Sequence, residues 1–342
     1  MIKRYLNPNI NSIWDDQNKF DTWKLVQEKY VETLEDLNIA EIGIAKKINQ
    51  SAVQKDEVYK QEEITNHDLA SFVDILQKKV GEGSNWIHYG LTSSDIVDTA
   101  NSVLIMQSLD YVKDLVNDLL STLQEKAVQE KDTLIIGRTH GVYAEETFLG
   151  NIFGNWHLEV ARGLNRLENS KNNISFGKLS GPVGNHSVVT SEMEKLTLEK
   201  LSLKPEQFAN QIVSRDRYAE VVSSLGILAS TYERIATNIR SYQRSEISEM
   251  FESFKDGQKG SSAMPHKKNP IGSERITGLA RIMRSYVSTS LENMVLWNER
   301  DISNSSVERI MLPDAFHLIS FMSIELNSIV KHLVINYEQI NV

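Results

Sequence analysis

The sequence predicts an all-α protein, an elongated bundle of long helices. Three observations carry that expectation. Helix breakers are scarce, with six prolines and 17 glycines among 342 residues. Apolar residues recur at helical spacing over several long stretches. Strand-like alternation is rare.

The first stretch covers residues 20–50, where Trp23, Val26, Tyr30, Leu34, Leu37, Ile44 and Ile48 follow the helical period. In residues 94–130, Val97, Val103, Leu104, Tyr111, Leu115, Leu119 and Leu123 do the same, with no proline or glycine inside. The clearest stretch is 217–250, built on Tyr218, Val221, Val222, Leu225, Leu228, Ala229, Tyr232, Ile235, Ala236 and Ile239. Two more cover 274–297 and 313–334. At a rise of ~1.5 Å per residue, ~30 residues span ~45 Å, which suits a bundle better than a compact globule. Polar, glycine-bearing segments at 81–94, 137–147, 177–191, 256–273 and 300–306 separate these stretches, and such loops are where a bundle places its chemistry. The length suits about two domains. We expect an N-terminal helical domain over 1–93 and a long-helix bundle over 94–342.

Composition narrows the function. Hydrophobic residues at 40% and charged residues at 24% argue against disorder. The net charge of -9, with Lys and Arg scattered among acids, argues against a nucleic-acid partner and leaves room for a small anion held by a local cluster. The absence of cysteine removes disulfides, thiolate nucleophiles and Cys-based zinc sites. Dinucleotide, P-loop and H-E-x-x-H zinc motifs do not occur. Residues 1–8 lack a signal-peptide pattern and no apolar run is long enough for a span, so the expectation is a cytoplasmic protein with no membrane partner.

The most informative segment is 260–270, Gly-Ser-Ser-Ala-Met-Pro-His-Lys-Lys-Asn-Pro, with Glu274 shortly after. Hydroxyls at Ser261 and Ser262, cations at Lys267 and Lys268 and the Asn269 amide stand before a helix start, a set suited to a carboxylate or phosphate. The segment resembles the signature Ser-Ser-x-Met-Pro-x-Lys-x-Asn of the fumarase/aspartase superfamily, matching at Ser261, Ser262, Met264, Pro265, Lys267 and Asn269. Its Met-Pro-His-Lys form is similar to the superfamily's adenylosuccinate branch. Gly137-Arg138-Thr139-His140-Gly141, followed by Ala144-Glu145, resembles the second family motif. His88-Tyr89-Gly90-Leu91-Thr92-Ser93-Ser94-Asp95 resembles the first, in the wording of the same branch. Asn66-His67-Asp68, Arg4-Tyr5 and the run Ser305 to Arg309 resemble its substrate-contacting elements, so the likeness covers nearly the whole chain.

The resemblance implies a β-elimination that releases fumarate from a succinylated purine nucleotide, with no metal or redox cofactor. It implies Ser261 as base and His140 as the acid that protonates the leaving nitrogen. Glu274 would support the charged imidazole. Lys267 and Asn269, with loop amides, would stabilise the carbanion's charge in the adjacent carboxylate. A serine needs a neighbouring cation and a closed, dry loop to act as base, and Lys267 and Lys268 supply the charge. An imidazole carries a proton more readily near neutrality. His67, with Asp68 beside it, would orient the substrate phosphate or assist His140 rather than act as the principal acid. Arg4, Tyr5, Arg300, Ser305 and Arg309 would hold the nucleotide; Thr92, Ser93, Gln211 and Ser262, with His88 and Lys268 nearby, would meet the rest. Partners are expected to be a small nucleotide and three further copies in a homotetramer that shares its sites. Family chains usually carry a third helical domain, expected to be absent here, which suggests a truncated chain.

Taken singly, each motif has a plainer reading. A lone histidine is more often structural, and His157, His186, His266, His317 and His332 take that reading. Ser305 to Arg309 alone would be a helix cap. Another fumarate-releasing lyase, argininosuccinate lyase among them, is the runner-up function. A noncatalytic helical scaffold is the alternative from another class, and it has no use for His140, Ser261, Lys267 and Glu274 together.

Overall fold

The computed structural model describes residues 1–254, 257–264 and 266–340. Asp256 of the glycine-bearing loop, Pro265 of the signature and Val342 lie outside the described residues, as do Lys255 and Asn341.

Helix α1 (Pro8–Trp14) starts where proline costs nothing, and the Asn7 side chain accepts from the N–H groups of Asn9 and Ile10. Residues 20–50 form two helices rather than one. Helix α2 (Asp16–Asp36) stops before Asn38 (φ 57°), and Gly43 (φ 104°) redirects the chain into α3 (Ile44–Gln50). Left-handed backbone cannot continue a right-handed helix. The apolar period survives the break because both helices bury into one cluster, which includes Trp23, Tyr30, Leu34, Ile44 and Ile48. Helices α4 (Lys55–Thr65) and α5 (Asp68–Val80), too short to stand out by a long apolar period, add Val58, Leu69, Phe72 and Leu76 to the same cluster.

Helix α6 (Ser93–Gln129) is 37 residues, or ~55 Å, long. Its first turn carries a capping box, with the Thr92 N–H donating to Asp95 at 2.8 Å. The segment 137–147, expected to be irregular, belongs to a hairpin: β1 (Leu134–Thr139) pairs antiparallel with β2 (Val142–Phe148). His140 (φ 55°) and Gly141 (φ 79°) make its two-residue turn, and positive φ at both positions matches the right-handed twist of the strands.

Helix α7 (Leu149–Ile174) follows. Short strands β3 (Phe176–Gly177) and β4 (Lys204–Pro205) pair in parallel around α8 (Ser191–Lys200). Helix α9 (Arg215–Tyr242) ends earlier than its apolar pattern suggests, because Met250 belongs to β5 (Met250–Phe251). Helices α10 (Ile271–Glu292) and α11 (Ser303–Lys331) come next, then β6 (Val334–Ile335), which pairs antiparallel with β5, and α12 (Tyr337–Ile340). Pro313, expected at a helix start, lies inside α11.

Helix α9 packs against α7 and α10, while α6 packs against α7 and α11. These five long helices bury the larger cluster, with Phe153, Trp156, Tyr232, Ile235, Phe316 and Met322 among its members. Tyr232 and Ser323 share a buried hydroxyl–hydroxyl bond of 3.0 Å that ties α9 to α11. The fold is the all-α long-helix bundle that the sequence predicts. Among the described residues no helix is long and apolar enough to cross a membrane.

Candidate active site

A cavity of about 480 Å³ opens where the first turns of α6 and α11 meet α5, α2 and the loop before α9. Its lining includes His67, Asp68, Thr92, Ser93, Gln211, Arg300, Ser305 and Arg309, eight of the residues singled out from sequence. The elements explain why they converge. Thr92 and Ser93 sit at the start of the longest described helix, whose dipole favours an anion at that end. His67 caps α5, its Nδ1 accepting from the Ala70 N–H at 3.4 Å, while Nε2 lies 3.4 Å from the Ser93 hydroxyl. Asp68, next along, accepts from Arg309 Nη2 at 2.8 Å and so joins α5 to α11. Arg300 donates to the Gln211 side-chain oxygen at 3.0 Å. Burial lowers the pKa of its guanidinium, and nearby Asp98 works in the opposite direction.

Beneath these residues lies a group that the sequence does not single out. Arg215 at the start of α9 is 4% exposed and meets Asp98 of α6 and Glu308 of α11, each through two hydrogen bonds of 2.6–3.1 Å. A fifth guanidinium N–H goes to the Val213 carbonyl at 2.8 Å, so every donor is used. Burial opposes the charge, but Asp98 and Glu308 outweigh it and hold Arg215 well above the ordinary arginine range. All three residues line the cavity. An arginine and two acids at apolar-stripe positions of three helices are a legible signal of buried pairing, but their mutual contact is long-range.

A second buried pair supports the same corner. Lys178 and Asp95 are both fully buried and bonded to each other, and Lys178 also donates to the Gly181 carbonyl at 3.0 Å. Burial raises the Asp95 pKa against the pull of the lysine. The pair pins the 177–191 segment to the first turn of α6.

The other residues expected at the site lie elsewhere in the chain. His140 is exposed at the hairpin tip. The hairpin is held by Arg138, which meets Glu249 through two bonds of 2.8 and 2.6 Å; that carboxylate raises the guanidinium's pKa further. Ser261 Oγ accepts from the Met264 N–H at 3.2 Å, and Asn269 Nδ2 donates to the Gly260 carbonyl at 2.8 Å, so the signature loop folds back on itself. A Cβ at Gly260 would stand 2.2 Å from the Lys267 carbonyl, so only glycine fits there. Ser262, Lys267, Lys268 and Glu274 are exposed, the last on the first turn of α10. That helix start is already capped: Glu252 accepts from the N–H groups of Gly272 and Ser273 at 3.1 and 2.6 Å.

Arg4 and Tyr5 form a short 3-10 turn with Lys3, and the Tyr5 ring meets Phe321 edge-on at 5.0 Å. His88 lies behind the site, its ring nitrogen 3.0 Å from the Gln27 amide. Burial, with His67 nearby, lowers its pKa to about 4, which leaves it neutral at working pH. None of these ten residues lines the cavity of the single chain.

The chain belongs to the lyase family, whose pattern matches residues 22–284. The adenylosuccinate lyase of Thermotoga maritima is 43% identical over 340 residues, spanning 99% of this chain and 79% of that protein. That of Bacillus subtilis is 41% identical, spanning 98% and 78%. A fumarate lyase from Mesorhizobium sp. BNC1 superposes with a TM-score of 0.88 at 20% identity, covering 99% of this chain and 78% of that one, and shares the fold. The family expected from the three motifs is therefore borne out.

Proposed function

We propose that this lyase eliminates fumarate from adenylosuccinate to give AMP, and from succinylaminoimidazole carboxamide ribotide to give AICAR. The observation that carries the reading is the cavity. It brings the α6 helix start, a half-buried Arg300 with neutral hydrogen-bond partners, and Arg309 around one space. Those groups suit a phosphorylated, carboxylated substrate. In the reaction Ser261 takes the proton from the carbon beside a carboxylate, the C–H pair becomes the new double bond, and the C–N pair leaves with nitrogen. His140 supplies the proton to that nitrogen, while Glu274 favours the charged imidazole. Lys267, Asn269 and loop amides stabilise the carboxylate as it takes up charge. The atoms balance with an acid, a base and fixed positive charge. No redox partner is called for.

The catalytic group and the cavity group sit on different parts of one chain. The reading therefore includes a homotetramer, in which one chain's cavity faces the hairpin and signature loop of others. Exposed apolar side chains on the bundle helices, Leu158, Ile227, Ile282, Leu291, Ile310 and Ile324, support such packing. The division into residues 1–93 and 94–342 belongs to the same proposal. Two apolar clusters favour it, although the first also takes in Leu179, Val189, Leu198 and Leu203.

Incubating the chain with adenylosuccinate is expected to yield fumarate and AMP by mass spectrometry. Folded protein that yields neither product would count against the reading. Arg309→Ala is expected to raise KM about tenfold and to slow kcat much less, because it removes a charge-assisted contact to bound substrate and no reacting group. An unchanged KM would remove Arg309 from the binding set.

A further inference from the structure

We propose that Asn304 and Glu308 are positioning residues for Arg300, and that the buried triad with Asp98 and Arg215 anchors them. The inference rests on the reading of Arg300 as a contact to the phosphate-bearing part of the nucleotide. Arg300 Nε donates to Asn304 Oδ1 at 3.2 Å. Asn304, fully buried, donates through Nδ2 to Glu308 Oε1 at 3.1 Å. Glu308 is bonded to Arg215, and Arg215 to Asp98, whose Oδ2 also accepts from the Val213 N–H at 2.8 Å. A continuous chain of hydrogen bonds thus runs from the cavity cation into the core.

The chain has a direction that chemistry enforces. Turning the Asn304 amide over would set its NH₂ against a guanidinium and its oxygen against a carboxylate, both repulsive. Asn304 and Glu308 are four residues apart on α11, so the helix itself holds them in line. The triad carries two negative charges against one positive. Its surplus negative charge faces Arg300, which among the described residues has only neutral hydrogen-bond partners. Arg300 thus sits half-buried with the triad's carboxylates held one residue away, and its charge stays available to an anion. Fixing Nε in advance removes side-chain freedom that binding would otherwise have to remove.

A double-mutant cycle on the full chain tests this, with AMP affinity by calorimetry and turnover of adenylosuccinate as readouts. Arg300→Ala is expected to weaken AMP binding about a hundredfold, and Asn304→Leu about tenfold. In the Arg300→Ala background, Asn304→Leu should cost less than about twofold, since its effect passes through the missing side chain. In turnover the Asn304 variant should raise KM and leave kcat within about twofold. Asn304→Ser, which is smaller and keeps a hydroxyl, serves if Asn304→Leu does not fold. Equal losses in both backgrounds, or a fall in kcat at constant KM, would overturn the relay and leave the Arg300 contact standing. AMP binding that survives Arg300→Ala, or is absent from the unaltered chain, would overturn the underlying reading and the relay with it.

Discussion

Ser261→Ala is expected to reduce turnover of adenylosuccinate by ~10²–10⁴-fold, the usual cost of removing a general base, while AMP affinity stays unchanged. The serine belongs to a loop that closes through the Asn269 to Gly260 bond and the tight approach of Gly260 to Lys267, so its place is set by backbone rather than by its own side chain. Among the described residues its hydroxyl accepts from the Met264 N–H, a solvent-exposed bond that water can replace. Folding should therefore survive the change. The rate is measured as fumarate released per unit time, beside a thermal melt. A rate near that of the unaltered chain would end the proposed role of Ser261 as base and turn attention to its neighbour Ser262.

Arg215→Met is expected to destabilise the chain by about 3–5 kcal/mol, the usual cost of leaving buried carboxylates without their partner. Asp98 is 2% exposed and Glu308 6%, so water cannot easily replace the guanidinium. Methionine fills much of the volume, which assigns the loss to charge and hydrogen bonding rather than to a cavity. Denaturant unfolding measures it as a lower midpoint at unchanged slope. A loss below about 1 kcal/mol would mean that the three helices hold together at this corner by apolar packing alone. The same variant should loosen the cavity, since Asp98, Arg215 and Glu308 come from α6, α9 and α11 and all line it.

Particular elements mark how far the sequence carried. The helices α6, α9, α10 and α11 were legible because little besides a helix sustains a 3.6-residue apolar period over some twenty residues. The break between α2 and α3 was not, because both helices bury the same stripe and the period runs through Asn38 and Gly43 undisturbed. The His140–Gly141 hairpin looked irregular because β1 and β2 have little alternation to show: Val142 to Glu146, most of β2, are all exposed. The last apolar stretch was legible only from residue 313, yet α11 begins ten residues earlier, at Ser303, and carries Pro313 inside it.

The fold class and the family were legible in the sequence, and so were eight of the residues that line the cavity. Periodicity and motif wording are local, and a run such as Ser261 to Asn269 keeps its meaning wherever the chain places it. Which of those groups share a space is set by how the helices pack. His67, Thr92, Gln211, Arg300 and Arg309 are scattered widely along the chain and meet in one cavity, whereas His140 and Ser261 stay outside it. The mutual contact of Asp98, Arg215 and Glu308 was hidden for the same physical reason: an ion pair is recognised by distance, and distance between three helices is set by how their apolar faces pack.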